Sequence, residues 1–237
     1  AHRIHLVGNV MIDTLTRLLP QAAEHWSAAG TQEQRLQAGD GGGKGDLGRV
    51  LTTRPYCLVT LHRPSNVDDP PMLGAIIDAL GDISRHIPVI FPVHPRTMAI
   101  LSRIGDSRFV SGGAHFVSGA IAAALAPTSD SVPQLRLLPP LGYLDFLALQ
   151  MHATVVITDS GGMQEETTYL GVPCLTVRAN TERPITVSMG TNTLIGRDMI
   201  RLRAEVSHIL GGHGKRGEIP PLWDGRAAER IASIIVE

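Results

Sequence analysis

Four short polar clusters, each set directly behind an apolar run, hold the groups in this sequence that can do chemistry. They are His62-Arg63-Pro64-Ser65-Asn66, His94-Pro95-Arg96, Asp159-Ser160-Gly161-Gly162, and Arg178 followed by Thr181-Glu182-Arg183-Pro184. The third cluster runs on into Met163-Gln164-Glu165-Glu166. Glycines at a strand-to-helix turn let backbone N–H groups approach an anion, and the helix N-terminus adds partial positive charge. This stretch therefore reads as a cradle for a diphosphate. Ser160 adds a hydroxyl donor, and a carboxylate in the following turns can reach past the phosphates to accept both hydroxyls of a ribose. The same residues also fit a plain helix start, with Ser160 as the cap and the glutamates favouring the helix dipole. Arg183 and His62, each able to neutralise a phosphate from a neighbouring strand end, turn the reading toward a ligand.

His62 and His94 are each followed within two residues by an arginine. A histidine placed after a strand also serves simply to hydrogen-bond a loop carbonyl, but two of them with their arginines mark a functional edge. Neither strand end supplies the spaced Cys, His or carboxylate set that zinc needs, so neither a metal nor a cofactor is expected. His2, His5, His25, His208 and His213 fall in terminal, linker or surface-like segments, and no role is assigned to them.

The elements that must position these clusters follow from periodicity. From Tyr56 onward, short β-branched apolar runs alternate with amphipathic segments, the pattern of a parallel sheet with helices on both faces. Strands are predicted at Tyr56–Leu61, Ile87–Val93, Leu135–Leu138, Thr154–Thr158, Cys174–Val177 and Thr193–Ile195. Helices are predicted at Met72–Arg85, Asp145–Met151, Met163–Leu170, Met199–Leu210 and Gly225–Val236. Gly171 and Pro173 stop the third of these. In an open parallel sheet ligands bind beyond the carboxyl ends of the strands, so the four clusters converge on one rim.

Two segments break the rhythm, Ala38 to Gly48 and Gly112 to Pro133, and both read as flexible insertions. The Gly-Gly-Gly-Lys tract in the first lacks the frame of a phosphate-binding loop and has no strand leading into it. The organisation expected is a remnant or linker over residues 1–25, an insertion over 26–50, and a Rossmann-like α/β domain over 51–237.

The chain has 237 residues, 43% hydrophobic and 4% aromatic, with a formal charge of −1 and a pI near 6.9. A balanced charge offers no general attraction to nucleic acid or to an anionic membrane, so any bound anion needs a local site. Cys57 and Cys174 sit inside apolar runs and read as small hydrophobes in a reducing, cytoplasmic setting. No apolar stretch approaches the ~20 residues that span a bilayer.

The motifs in order resemble the non-hydrolysing UDP-N-acetylglucosamine 2-epimerases. The resemblance lies in Gly8-Asn9-x-x-x-Asp13, Thr60-Leu61-His62-Arg63-x-x-Asn66, Phe91-Pro92-Val93-His94-Pro95 and Pro140-Leu141-x-Tyr143-x-x-Phe146. It continues through Thr158-Asp159-Ser160-Gly161-Gly162-x-Gln164-Glu165-Glu166, Gly171-x-Pro173, Arg178-x-x-Thr181-Glu182-Arg183-Pro184 and Gly190-Thr191-Asn192-Thr193-x-x-Gly196. It implies one half of a GT-B-like pair of Rossmann-like domains, with Ser160, Gly161 and Gly162 on the diphosphate, Glu166 on the ribose and Phe146 near the uracil. It implies Arg183 and His62 on the phosphate side of the sugar, with His62 assisting departure of UDP, and Arg63 and His94 at a second, activating nucleotide-sugar site.

The implied reaction eliminates UDP and adds it back on the other face, inverting carbon 2 and supplying UDP-N-acetylmannosamine for surface polysaccharide. The expected ligands are UDP-N-acetylglucosamine, UDP-N-acetylmannosamine and UDP, with no nucleic acid or membrane partner and with a homodimer as the assembly. Gly8-Asn9 reads as the end of an N-terminal domain that carries the proton-transfer carboxylates, so this chain is expected to bind UDP without epimerising. A GT-B glycosyltransferase domain, a hydrolysing epimerase and an inactive nucleotide-sugar binding module are the alternatives.

Overall fold

All six predicted strands form, a seventh joins them, and every pairing is parallel. The computed structural model describes residues 4–31, 55–104, 110–111 and 135–236. The two predicted insertions at 38–48 and 112–133, and residues 32–50 of the segment before the domain, lie outside the described residues. The strands are β1 (Cys57–Thr60), β2 (Val89–Pro92), β3 (Val110–Ser111), β4 (Leu135–Leu138), β5 (Val155–Thr158), β6 (Cys174–Thr176) and β7 (Asn192–Leu194). Their order across the sheet is β3-β4-β2-β1-β5-β6-β7. From β1 the chain passes one way to β2, on to the edge strand β3 and back to β4 between them, and from β5 it passes the other way through β6 and β7. The winding direction therefore reverses between β1 and β5, where loops diverge and leave a crevice at the carboxyl ends.

Alternation along the strands feeds two apolar layers. On one face Cys57, Val59, Phe91, Ile157 and Leu175 meet α3 (Pro70–Ile83) and α8 (Met199–His208), with Leu73, Ile76, Leu80 and Leu202 buried between them. On the other, Leu58, Ile90 and Val156 meet α1 (Val10–Thr31), α5 (Tyr143–His152) and α6 (Gly161–Leu170). Burying each large aliphatic side chain stabilises the fold by about 1.5–3 kcal/mol. Capping places the helix starts: Asp69 accepts from the Met72 amide at 3.4 Å, and Asp198 from the Arg201 amide at 2.9 Å. Pro70 stands just inside the first, where a missing N–H costs nothing.

Several elements are absent from the sequence reading. Helix α1 is the largest, with Pro20 inside it, and a proline inside a helical pattern ordinarily marks a break. Ile12, Leu15 and Ala22 are fully buried at helical spacing and pin it to α5 and α6. The others are short or follow a proline: α2 (Pro64–Val67), α4 (Pro95–Ile104), β3 and α7 (Pro184–Ser188). After α8 a π-helical turn spans Ile209–His213, and α9 (Ala227–Val236) closes the described chain.

The start of the described chain is clipped to its end. Asp13 accepts the first two amides of α9, Ala227 N at 3.0 Å and Ala228 N at 2.7 Å, and Arg230 donates to the Val7 carbonyl at 3.2 Å. Gly8 has φ +103 and packs so tightly on the Leu222 carbonyl that a Cβ there would collide with it. Leu222 itself lies in the left-handed region at φ 63. Both the turn and the contact thus require glycine at position 8.

Candidate functional site

At the crevice between β1 and β5 the two loops are joined by one buried acid. Asp159, fully buried, follows β5 and accepts from the backbone amides of His62 at 3.1 Å and Arg63 at 2.9 Å, and from Asn66 Nδ2 at 3.0 Å. The same Asn66 Nδ2 also donates to the Val177 carbonyl at 3.0 Å, tying in the end of β6. His62 Nδ1 lies 3.0 Å from Asp159 Oδ1, while its side chain is 55% exposed. The imidazole is thus held by a buried carboxylate on one nitrogen and turned to solvent with the other. Burial pushes the Asp159 carboxyl up, but the His62 side chain, the Arg63 amide and Asn66 outweigh it, so the group titrates below its ordinary value. In return, the hydrogen bond to Asp159 raises His62 above its ordinary value against partial burial and the nearby charges of Arg63 and Arg178. The arrangement orients His62 at the rim and favours its protonated form, which suits a phosphate or the protonation of a leaving oxygen.

Beside it, Ser160 caps α6 with its side chain on the Met163 amide at 3.5 Å, so both readings of this serine describe the same atom. Gly161 and Gly162 are the first residues of the helix, where amides have no intrahelical acceptor. A Cβ on Gly161 would meet nothing nearer than Arg183 Cγ at 4.0 Å. The fold leaves room for a side chain there, so the bare backbone is an open approach for a ligand rather than a packing need.

Glu165 and Glu166, both buried, divide their tasks. Glu165 Oε1 lies 2.9 Å from Arg183 Nε, and the Asn9 side chain also hydrogen-bonds this carboxyl. The Arg183 Nε–H is not aimed at that oxygen, so the contact is ionic rather than a directed hydrogen bond. Burial raises the Glu165 carboxyl, with Arg183 and Asn9 pulling against it. Glu166 accepts from the Tyr143 hydroxyl at 2.9 Å, and burial raises its carboxyl as well. Tyr143, at the start of α5, therefore stands between Glu166 and solvent. Phe146, one turn further along α5, is half-buried against the second apolar layer.

Arg183 is 41% exposed and faces the same rim from the loop after β6. Arg178 bonds Glu182 at 2.9 Å, and Arg63 approaches the same carboxylate at 4.0 Å. His94, by contrast, is exposed after β2, where its Nδ1 accepts the Arg96 amide at 3.3 Å. Arg96 reaches Asp68 in the loop after β1 at 2.9 Å. Among the described residues, no hydrogen bond or ion pair joins His94 to His62 or Arg63.

The structure thus brings together His62, Arg63, Ser160, Gly161 and Gly162 around Asp159, with Glu166 further along α6 and Arg183 in the loop after β6, and leaves His94 in a local turn. Sequence reasoning gave no separate role to Asp159, Asn66, Tyr143 or Gln164. The available signal was position: Asp159 is the first residue past a wholly apolar strand, where a buried acid needs partners. Among the described residues, no group of three or more His, Cys, Asp or Glu side chains is placed to hold a metal ion, and no helix is long and apolar enough to cross a membrane.

The family model described as UDP-N-acetylglucosamine 2-epimerase matches residues 1–236. The UDP-N-acetylglucosamine 2-epimerase of Methanococcus maripaludis is 30% identical over 98% of this chain and 54% of its own length. The UDP-2,3-diacetamido-2,3-dideoxy-D-glucuronate 2-epimerase of Pseudomonas aeruginosa is 35% identical over 77% of this chain and 44% of its own. The crystal structure of the Methanocaldococcus jannaschii UDP-GlcNAc 2-epimerase, in complex with UDP-GlcNAc and UDP, superposes with a TM-score of 0.71. It is 31% identical, covering 99% of this chain and 55% of that one. The chain spans about half the length of the curated relatives it matches.

Proposed function

This chain belongs to the UDP-N-acetylglucosamine 2-epimerase family, and we propose that it is the nucleotide-holding half of an enzyme interconverting UDP-N-acetylglucosamine and UDP-N-acetylmannosamine. One observation carries the proposal: an exposed His62, oriented by buried Asp159, stands across the β1/β5 crevice from the open helix start at Ser160–Gly162. The amides of Gly161 and Gly162 and the Ser160 hydroxyl hold the diphosphate, and Arg183 balances its charge. Glu166, set by Tyr143, takes the ribose hydroxyls, and Phe146 lies on the uracil side. Protonated His62 stabilises charge on the diphosphate as its bond to the sugar breaks, and returns to the same state when UDP adds back. Arg63 and His94 form a second site for the nucleotide sugar. No cofactor takes part, a homodimer is the assembly, and the setting is cytoplasmic.

Calorimetric titration with UDP and with uridine, across pH, tests the nucleotide grip. UDP is expected to bind at least tenfold tighter than uridine. Because the folded pKa of His62 is raised, its charge is fully present below about 6.5 and is lost as the pH rises through the raised value. UDP affinity should fall over that interval in the native chain and not in His62→Gln, a difference that cancels the titration of UDP itself. Equal affinity for UDP and uridine would remove the diphosphate from the site, and identical pH profiles would remove His62.

A further inference from the structure

We propose that Gln164 and Thr181 are positioning residues that fix the separation between the two halves of the phosphate grip, Ser160 and Arg183. The inference rests on the diphosphate reading of that grip and assigns residues that touch no ligand. Gln164 is fully buried on α6. Its Nε2 donates to the Ser160 carbonyl at 3.1 Å. Its Oε1 accepts from Thr181 Oγ1 at 2.5 Å and from Asn192 Nδ2 at 3.0 Å, which uses both lone pairs and leaves none for a ligand.

From Thr181 the chain of bonds runs on to Arg183. Thr181 Oγ1 accepts the Arg183 amide at 2.9 Å. The Arg183 carbonyl accepts from Thr186 Oγ1 at 2.7 Å, and Thr186 Oγ1 in turn accepts from Asn192 Nδ2 at 3.1 Å. Asn192 is itself fixed by Thr176 Oγ1, which donates to its Oδ1 at 2.6 Å. Both sides of the Arg183 backbone are therefore tied, through one buried amide, to the carbonyl of the residue that opens the cradle.

A buried amide needs partners wherever it stands, so satisfaction alone would not distinguish this network from ordinary packing. Its directionality does. Every side-chain bond of Gln164 leads to a residue at the carboxyl end of β5, to the loop after β6 or to β7, and Thr181 has one bond toward each half of the grip. Two phosphates must meet both halves at once, whereas a single phosphate needs only one. The network therefore matters to a diphosphate and not to a monophosphate.

The test compares UDP with UMP on the full chain and on Thr181→Val and Thr181→Ser, with thermal unfolding as a fold control. Valine keeps the shape but removes the hydroxyl, and Thr181 is only half-buried, so the variant is expected to fold. Thr181→Val should weaken UDP binding about tenfold, as for loss of one contact to a charged group, leave UMP within about twofold, and be rescued by Thr181→Ser. On an Arg183→Ala background it should have no further effect on UDP. Equal losses for UDP and UMP, or no loss for either, would overturn the positioning role. A native chain that does not prefer UDP over UMP would instead overturn the diphosphate reading itself.

Discussion

The chain turns from strand to helix after β2 and again after β5, using similar ingredients for different ends. Both strands are buried and apolar, and both turns carry a polar residue ahead of a ten-residue helix. After β2, Pro95 opens the helix and removes a backbone donor, and the bonds of His94 stay within its own turn, to the Arg96 and Met98 amides. After β5, Gly161 leaves its backbone open while Met11 Cε lies beside Gly162, and Asp159 reaches across to the loop of β1. On the proposed reading, a helix start serves as a diphosphate grip when it lies where the sheet reverses its winding and a buried group ties two loops into one wall. Away from that point, the turn after β2 stays outside that grip.

Three substitutions break or sharpen this contrast. Asp159→Ala would take the shared acceptor from the partly buried His62 and Arg63 amides and leave Asn66 Nδ2 only its bond to the Val177 carbonyl, and is expected to cost about 3–5 kcal/mol by urea denaturation. A cost under about 1 kcal/mol would show that the loops do not depend on each other. Gly161→Ala separates fold from ligand, since the added methyl has space. Stability should hold or rise by up to about 1 kcal/mol as the unfolded chain loses freedom, while UDP affinity drops about tenfold. Unchanged affinity would mean that no ligand approaches that backbone. His94→Ala should move stability by less than about 0.5 kcal/mol and leave UDP affinity within twofold. A larger loss of UDP binding would place the turn after β2 in the same grip.

How much of this was legible beforehand divides along range in the chain. The strands are readable because each is a short apolar run followed at once by polar residues, and the parallel sheet sets the carboxyl ends of β1, β2, β5 and β6 along one edge, as that reading expects. Helix α1 was not, because Pro20 hides a pattern that Ile12, Leu15 and Ala22 nonetheless carry. Ser160 was readable as a cap from its local setting. Asp159 looked like one more polar residue in a phosphate turn, because its partners lie 93 to 97 positions earlier. Glu166 reads locally as a ribose acceptor, and what the sequence does not announce is that the Tyr143 hydroxyl, 23 positions away, is bonded to it. Local chemistry announces itself in sequence, whereas which buried group steadies which loop depends on strand order.

The clip between Asp13 and α9 has a consequence in time rather than in space. Its two hydrogen bonds join residues 214 and 215 positions apart, among the longest loops this chain can close. A closure that long is entropically expensive in a free coil but inexpensive once the sheet has brought both ends to one side. The terminal clip is therefore expected to form after the sheet during folding. With Leu222 in a conformation that non-glycine residues avoid, it is expected to open early on heating, which hydrogen exchange at the Ala227 and Ala228 amides would report.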